Sequence, residues 1–484
     1  MSEPYSMASK PCSNAAFDDA REGVRRWLIL AIGSLMLAGV FALLIVVART
    51  PVVARFVGDP VFYKRCLVIH VDLSLVVWFY AFLGALFFLL PTHRKTGFLS
   101  RSGWVVSFAG IALLSLGANM AGAQPVLSNY VPMIDHPLFI GGLIVFAAGL
   151  LFTLLQRRLL PSAEPETGFF PLPPAAHPGI RAAAICVIIA LLTFVGSWMS
   201  TPKFLALEPY YELLLWGGGH VLQFANVSAM LAVWIVLVTS AVGRSPMGPR
   251  LAGILFGVLV LPLLAAPLLV LGAATNGTYR GVFTTLMQFG IFPVVTIFLI
   301  ACLRALYLAR RDGSKIGMGD VRITGFAASA ALTVLGFLLG AMIRGSTTLI
   351  PAHYHASIGA VTVSFMAVTY LLFEPLGLSL GTERRKRLAA YQPLLFGVGQ
   401  MLFSIGFALA GIFGMSRKTF GAEQRIQNLP GTFGLGMMSL GGLVAVVGGM
   451  LFLYLVATSF LHRIRERSAS RSIGVPVLTT DSPH

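Results

Sequence analysis

The chain has 484 residues, of which 57% are hydrophobic and only 11% charged, whereas a soluble domain carries charge on about a quarter of its residues. This composition excludes an ordinary soluble domain and indicates that lipid surrounds most of the chain. The net charge of +17 would suit a nucleic-acid-binding protein, but the basic residues lie in short loops between apolar segments. That distribution is typical of a membrane protein and predicts a lipid bilayer, not nucleic acid, as the partner.

Apolar segments long enough to cross a bilayer, about 20 residues each, recur along the whole chain. Each is a continuous apolar run and lacks the alternation of barrel strands, so the sequence predicts helices. The expected fold class is all-α, a polytopic bundle of twelve transmembrane helices at these positions: Trp27–Val47, Cys66–Leu90, Trp104–Ala121, Pro137–Leu155, Ala182–Trp198, Tyr211–Thr239, Leu251–Leu271, Val282–Leu303, Ile323–Ile343, Ala352–Phe373, Pro393–Phe413 and Thr432–Ala457.

Lysine and arginine set the expected orientation. Most of the 35 basic residues fall in the two terminal segments and in every second loop, so the positive-inside rule places both termini in the cytoplasm. Odd-numbered helices then run outward and even-numbered helices run inward. Because the loops are short, we predict one membrane domain over residues 27–459. A cytoplasmic segment, residues 1–26, precedes it, and a polar, mobile cytoplasmic tail, residues 460–484, follows it.

Four of the nine histidines lie inside predicted helices. His70 is in helix 2, His220 in helix 6, and His353 and His355 open helix 10. Ionisable side chains at such depth are costly and by default mark a functional site. All three helices are even-numbered and run inward, and each carries its histidines in its first half. All four imidazoles therefore fall in the outer half of the bilayer. Of the remaining histidines, His136 begins helix 4, where we expect a surface or capping role.

His353 and His355 are two positions apart. At about 100° per residue, their side chains point roughly 200° apart around the helix. Two side chains so placed are suited to two cofactors on either side of the helix and not to one metal ion. Neutral imidazole is a common axial ligand of heme iron, and a histidine from another helix would make one of two hemes six-coordinate and low-spin.

The run Pro351-Ala352-His353-Tyr354-His355 resembles the helix-10 signature of subunit I of the heme-copper oxidase superfamily. That superfamily includes cytochrome c oxidases, quinol oxidases and nitric oxide reductases. The number of helices and the order and depth of the histidines extend the resemblance over nearly the whole chain. The resemblance implies that His353 holds a high-spin heme and that His355 and His70 hold a low-spin heme. Heme b is the simplest assignment for both.

Two further motifs fit the same superfamily. Trp216-Gly217-Gly218-Gly219-His220 looks like its helix-6 histidine, a ligand of the second active-site metal, which is copper in oxidases and iron in nitric oxide reductases. Gly414-Met415-Ser416-Arg417-Lys418 is similar to the basic pair that meets the heme propionates. Guanidinium and ammonium groups suit such carboxylates, and Arg344, at the outer end of helix 9, is a further candidate.

The sequence departs from the superfamily pattern at the second metal. The family takes two adjacent histidines from helix 7, but neither helix 7 nor the loop after it contains a histidine. Asn276 and Tyr279 lie near the expected position and offer only oxygen donors, which are poor ligands for copper. One turn after His220, where many oxidases have a tyrosine, stands Phe224. The ligand set for a second metal, copper or iron, is therefore incomplete.

The resemblance implies a redox enzyme of the bacterial inner membrane, a terminal oxidoreductase of the cytochrome c oxidase or nitric oxide reductase type. It would receive electrons from a periplasmic donor subunit or cytochrome c and reduce a small gas, O2 or NO, with His353, His220 and Tyr279 as the candidate catalytic residues. The incomplete second metal site leaves an alternative open, a non-catalytic diheme subunit that carries electrons or binds a gas. A secondary transporter is disfavoured, because the ionisable residues gather near one face and not at the midplane.

Overall fold

The structure is a computed structural model that describes residues 14–49, 61–92, 95–161, 168–271, 277–417 and 428–472. Within these residues, twelve helices are long and apolar enough to cross a membrane, which confirms the predicted all-α polytopic fold. We number them α1–α12 in chain order: Asn14–Arg49, Phe62–Leu89, Phe98–Gly117, Pro137–Leu154, His177–Ser200, Leu207–Val242, Pro249–Leu269, Gly277–Arg311, Val321–Ala341, Leu349–Leu372, Glu383–Ile412 and Leu429–Ser472.

The first and last helices extend beyond the boundaries that we predicted from hydrophobicity. α1 begins at Asn14, within the predicted N-terminal segment, because its polar first turns bind the loop before α3. Asp19 accepts hydrogen bonds from the backbone N–H of Thr96 (2.7 Å) and pairs with Arg101 (3.1 Å). α12 continues to Ser472, so the first part of the predicted mobile tail is helical, and residues 473–484 lie outside the described part.

Two helices depart from regular α geometry. The segment Asp72–Val77 of α2 is a π-helix, a rare form that often marks a functional site. The Asp72 side chain is fully buried there, and neither carboxylate oxygen has a hydrogen-bond partner among the described residues. α7 contains the 3-10 segment Leu261–Ala265, because Pro262 and Pro267 lack the N–H groups that a continuous α-helix needs.

Glycines at seven-residue spacing bring two helix pairs into backbone contact. In the α3–α4 pair, a Cβ atom at Gly110 would lie 2.3 Å from the backbone nitrogen of Phe146, and one at Gly142 would lie 2.4 Å from that of Leu114. The α11–α12 pair is built in the same way through Gly399, Gly406, Gly434, Gly441 and Gly448. Small residues let helices approach closely in lipid, where association depends on packing.

A short hairpin covers the end of the bundle where the even-numbered helices begin, which we call the histidine end. Its strands, β1 (Gln124–Val126) and β2 (Met133–Asp135), pair antiparallel. Tyr211, near the start of α6, donates a hydrogen bond to Asp135 (2.6 Å) and fixes the hairpin to that helix. His136 follows β2 and caps α4, accepting from the backbone N–H of Leu138 (3.3 Å). The capping role expected for His136 is therefore confirmed.

The close contact between α3 and α4 can be tested by substituting the adjacent glycines Gly142 and Gly141. Gly142→Ala places a Cβ atom against the α3 backbone, and overpacking of this kind costs about 1–3 kcal/mol. Gly141→Ala is the matched control: no atom lies within 4 Å of its Cβ position, and the gain in helix propensity is up to about 1 kcal/mol. We expect thermal unfolding in detergent to show a lower midpoint for Gly142→Ala only. Equal midpoints would contradict the close contact.

Candidate functional site

His70 lies early in α2 and faces α1. Its Nδ1 is 2.9 Å from the carbonyl oxygen of Ala38. A carbonyl only accepts hydrogen bonds, so Nδ1 carries the proton, and in the neutral ring Nε2 carries the lone pair. Metal-binding histidines are commonly oriented in this way by a backbone carbonyl. The contact therefore leaves His70 Nε2 as the atom that can bind a metal.

His353 is arranged in the same way on the opposite side of the site. Its Nδ1 donates to the carbonyl oxygen of Gly336 in α9 (2.7 Å), which again leaves Nε2 as the lone-pair nitrogen. The ring fits because the next turn of α9 also has a glycine. A Cβ atom at Gly340 would lie 2.8 Å from Nδ1 and 2.9 Å from Cε1 of His353. The glycines of α9 thus fix both the position and the tautomer of this imidazole.

The side chain of His355 contacts a different set of residues from the side chain of His353. Its ring packs edge-on against Phe403 of α11, with the centroids 4.7 Å apart, and it is close enough to His70 for the two imidazoles to interact electrostatically. Lower in the bundle, Phe82 of α2 stacks on Phe365 of α10 at 4.3 Å, which holds the two helices side by side. His355 therefore lies within electrostatic range of His70 of α2, whereas His353 faces α9.

This donor set fits heme iron. A bis-histidine heme needs two imidazoles from different helices and a five-coordinate heme needs one, which corresponds to His70 with His355 and to His353. Nδ1 of both His70 and His353 is bound to a backbone carbonyl, as is common for metal-binding histidines. The fit rests on the chemistry and arrangement of these side chains.

His220 has both ring nitrogens engaged. Its Nδ1 donates to the carbonyl oxygen of Trp216 one turn earlier (2.7 Å). Nε2 is therefore the acceptor, and the hydroxyl of Tyr130 donates to it at 2.9 Å. The ring also lies 4.8 Å from the Trp216 ring and 6.0 Å from the Phe283 ring of α8, between centroids. His220 is thus buried among aromatic groups with its lone pair bound to a phenol.

The hairpin turn that carries Tyr130 is held from several directions. Asn129 hydrogen-bonds to Glu212 of α6 through both its backbone and its side-chain nitrogen, and its amide oxygen accepts from Arg417 (2.7 Å). Ser128 donates to the carbonyl oxygen of Val131 (2.6 Å). Burial raises the pKa of Tyr130, and the negative charge of Glu212 acts in the same direction, whereas Arg417 opposes it. The phenol is therefore uncharged at neutral pH.

Two of the three candidate propionate-binding residues, Arg417 and Arg344, lie at the histidine end. The backbone N–H of Arg417 contacts the carbonyl oxygen of Ser346 (3.4 Å), and Ser416 forms a bridge with Thr347, so the loops after α9 and α11 meet beside the start of α10. Arg344 is exposed in the loop after α9 and donates to the carbonyl oxygens of Ala341, the last residue of α9 (3.1 Å), and of Ile343 (2.9 Å). Lys418 lies outside the described residues.

Tyr279 lies in the first turn of α8 and not in a loop, because α8 begins at Gly277. Its hydroxyl donates to the carbonyl oxygen of Leu213 (3.1 Å) and accepts from the N–H of Gly217 (3.0 Å). Both bonds join α8 to the backbone of α6, so the geometry gives Tyr279 an anchoring position, and its catalytic role stays a prediction. Asn276 lies outside the described residues.

Sequence reasoning did not identify Tyr130, although the sequence contains one signal for it. In the run before His220, a Cβ atom at Gly217 would meet Tyr279 (2.9 Å), one at Gly218 would meet Phe194 (2.4 Å), and one at Gly219 would meet Tyr130 (2.5 Å). Each glycine admits one aromatic ring. The run indicates that bulky groups approach this turn, but not which residues they are.

A second metal does not fit this part of the site. Among the described residues, no group of three or more His, Cys, Asp or Glu side chains is placed to hold a metal ion. His220 offers one nitrogen, which already accepts a hydrogen bond. The incomplete ligand set seen in the sequence therefore corresponds to an incomplete ligand set in space.

Comparison with known proteins agrees with this architecture. An uncharacterized protein of Aquifex aeolicus is 31% identical over 354 residues, covering 72% of this chain and 84% of the relative. A second uncharacterized protein, from Rickettsia prowazekii, is 25% identical over 494 residues, covering 89% of this chain and 94% of the relative. Cytochrome c oxidase subunit 1 of Thermus thermophilus is 23% identical over 467 residues, covering 86% and 79%.

The fold is also similar to that of a solved structure. A cryo-EM structure of a heme-copper terminal oxidase dimer superposes with a TM-score of 0.66 at 16% identity, covering 92% of this chain and 84% of that one. The sequence profile described as "Cytochrome C and Quinol oxidase polypeptide I" matches residues 23–451, nearly the whole membrane bundle. The chain therefore belongs to the subunit I family of heme-copper oxidases, a family of multi-pass membrane oxidoreductases.

Proposed function

We propose that this chain is a diheme membrane oxidoreductase that passes electrons from a low-spin to a high-spin heme and reduces a small gas, O2 or NO, at the latter. The observation that carries the proposal is the division of imidazoles around α10. His355 lies within electrostatic range of His70 on one side, and His353 faces α9 on the other. When bound, the hemes would supply electron storage and an open iron coordination position for the gas.

The residues of the chain would bind, orient and shield these groups. Gly336 fixes the His353 ring, and Ala38 fixes the His70 ring, through their carbonyl oxygens. Phe403 packs on His355 and excludes water from its surroundings. Arg417, Arg344 and Lys418 would bind heme propionates, since guanidinium and ammonium groups pair well with carboxylates. Two cofactors joined by one short stretch of α10 give a direct path for electrons.

The orientation and partners in this proposal follow from charge. With both termini in the cytoplasm, the histidine end faces the periplasm of a bacterial inner membrane. Electrons would then come from a periplasmic donor subunit or cytochrome c, because the chain has no C-x-x-C-H site for a heme c of its own. Heme b remains the simplest assignment for both cofactors.

A second candidate function is a non-catalytic diheme subunit that transfers electrons or binds a gas. The hydrogen bond from Tyr130 to His220 Nε2 (2.9 Å) favours it, because the usual second metal ligand is engaged elsewhere. The two functions predict the same hemes. They differ in turnover, so consumption of O2 and of NO by the purified protein with an artificial electron donor separates them.

Heme content is the first measurement that tests the proposal. A pyridine hemochrome assay on the purified full-length protein is expected to give two hemes per chain. Steady consumption of either gas supports the oxidoreductase, and two hemes without consumption support the second candidate. A protein without heme would overturn both functions.

The low-spin pair can be tested by removing either imidazole. His70→Ala or His355→Ala should abolish the six-coordinate low-spin bands in the optical and electron paramagnetic resonance spectra, since each variant removes one of two axial ligands. CO binding at the other heme should be retained. Low-spin bands that persist in both variants would show that other residues ligate this heme.

The high-spin site can be tested through His353 and its glycine neighbour. His353→Ala should abolish CO binding and leave the low-spin bands unchanged. Gly340→Ala should weaken or abolish CO binding too, because the added Cβ atom displaces the imidazole. Gly257→Ala is the matched control, since no atom lies within 4 Å of its Cβ position. CO binding that survives His353→Ala would refute this ligand assignment.

A further inference from the structure

We propose that Tyr130 takes the place of the second active-site metal: its hydroxyl binds the one nitrogen of His220 that could coordinate a metal, and a metal-free phenol–imidazole pair stands there instead. This inference deepens the proposed function. It depends on that function in one respect, that His353 carries a heme. The existence of the pair is independent of any heme.

One ring nitrogen of His220, Nδ1, is protonated. Nδ1 lies 2.7 Å from the carbonyl oxygen of Trp216, so Nδ1 carries the ring proton. Nε2 then has a single in-plane lone pair. The Tyr130 hydroxyl, 2.9 Å away, donates its proton to that lone pair. A metal ion needs the same lone pair, so hydrogen bonding and coordination exclude each other.

Among the residues that the structure describes, no free metal-binding donor lies beside His220. Its ring neighbours are the indole of Trp216 and the phenyl ring of Phe283, neither of which is a metal ligand. The hydroxyl of Tyr279 is bound to the α6 backbone, and the carboxylate of Glu212 is bound to Asn129. One imidazole without further ligands does not hold copper or iron tightly.

The backbone conformation of Tyr130 is unusual. Its φ angle is +68°, and it is the one non-glycine residue with positive φ in the described part of the chain. A bulky side chain rarely adopts this left-handed conformation, and such residues persist where the surroundings over-determine them and cluster at functional sites. Here the conformation directs the phenol inward, toward His220.

The surroundings that impose this conformation are specific. Glu212 and Arg417 hold Asn129 from two sides, and Ser128 closes the turn onto Val131. The Tyr130 Cβ atom rests where a side chain on Gly219 would otherwise stand, 2.5 Å from that Cβ position. The hairpin thus holds the Tyr130 hydroxyl against the His220 imidazole.

The Tyr130–His220 pair determines which groups a gas would meet at the heme of His353. α6 packs against both α9 and α10, so His220 and His353 lie on neighbouring helices at the same end of the bundle. With no second metal, a gas would be bound by one iron and not bridged between two metals. If His353 holds a heme, the hydroxyl of Tyr130 and the imidazole of His220 would be the polar groups that α6 and its hairpin offer to a gas bound there.

Metal content tests the proposal without reference to activity. The full-length protein is purified from cells grown with added copper and iron, and copper and iron are measured per heme. We expect no copper and no iron beyond that of the heme. One copper or one extra iron per chain, lost in His220→Gln, would overturn the proposal. This measurement is valid even if the protein holds fewer hemes than proposed.

The C–O stretching band of the reduced CO adduct tests the pair directly. Tyr130→Phe keeps the ring and removes the hydroxyl, and it should shift the band. His220→Gln should shift it as well, and the double variant should shift it no further than the larger single effect, because the two side chains act as one unit. Tyr210→Phe is the control, since its hydroxyl bonds Lys203 and not His220.

The outcomes of this experiment are distinct. A band unchanged in Tyr130→Phe would overturn the proposal, as would additive shifts in the double variant. The absence of any CO adduct in the unmodified protein would instead count against the proposed function, and metal content would then decide the question of the pair.

Discussion

The constraint on which the site depends is that a buried imidazole needs a hydrogen-bond partner. In the interior of a membrane bundle there is no bulk water to satisfy a polar group, so each ring must find its partner in the protein. For His70, His220 and His353 that partner at Nδ1 is a backbone carbonyl oxygen. This one contact fixes the orientation and tautomer of each ring and leaves Nε2 for chemistry. What Nε2 then meets separates the two roles: Tyr130 at His220, and, as we propose, a heme iron at His70 and His353.

Glycine makes these contacts sterically possible. Gly340 admits the His353 ring beside α9, and the three glycines before His220 admit three aromatic rings beside α6. Elsewhere in the bundle, glycines join α3 to α4 and α11 to α12 by direct backbone contact. Those tight pairs form a rigid frame in which the helices that carry histidines are held. Glycine therefore has two roles in this bundle: it allows helices to pack closely, and it leaves room for rings at the site.

Much of the fold could be predicted from the sequence, because span length and apolar composition report directly on the bilayer. The depth of His70, His353 and His355 could also be predicted, because all three lie near the starts of two even-numbered helices, α2 and α10. Three features could not. The starts of α1 and α8 were misjudged, because polar residues such as Asp19 and Arg280 extend a helix where hydrophobicity gives no signal. Tyr130 was not foreseen, because its contact with His220 spans 90 positions and depends on a turn conformation that no local pattern encodes.

The π-helical segment of α2 determines the directions in which His70 and Phe82 project from that helix. His70 and Phe82 are twelve positions apart, which in a regular α-helix would place them about 120° apart around the axis. A π turn is equivalent to one inserted residue and removes about 100° of that rotation. The two side chains then project from nearly the same side, so His70 reaches His355 while Phe82 stacks on Phe365, both on α10. Asp72–Val77 thus sets the rotation about the helix axis between the turn that carries His70 and the turn that carries Phe82.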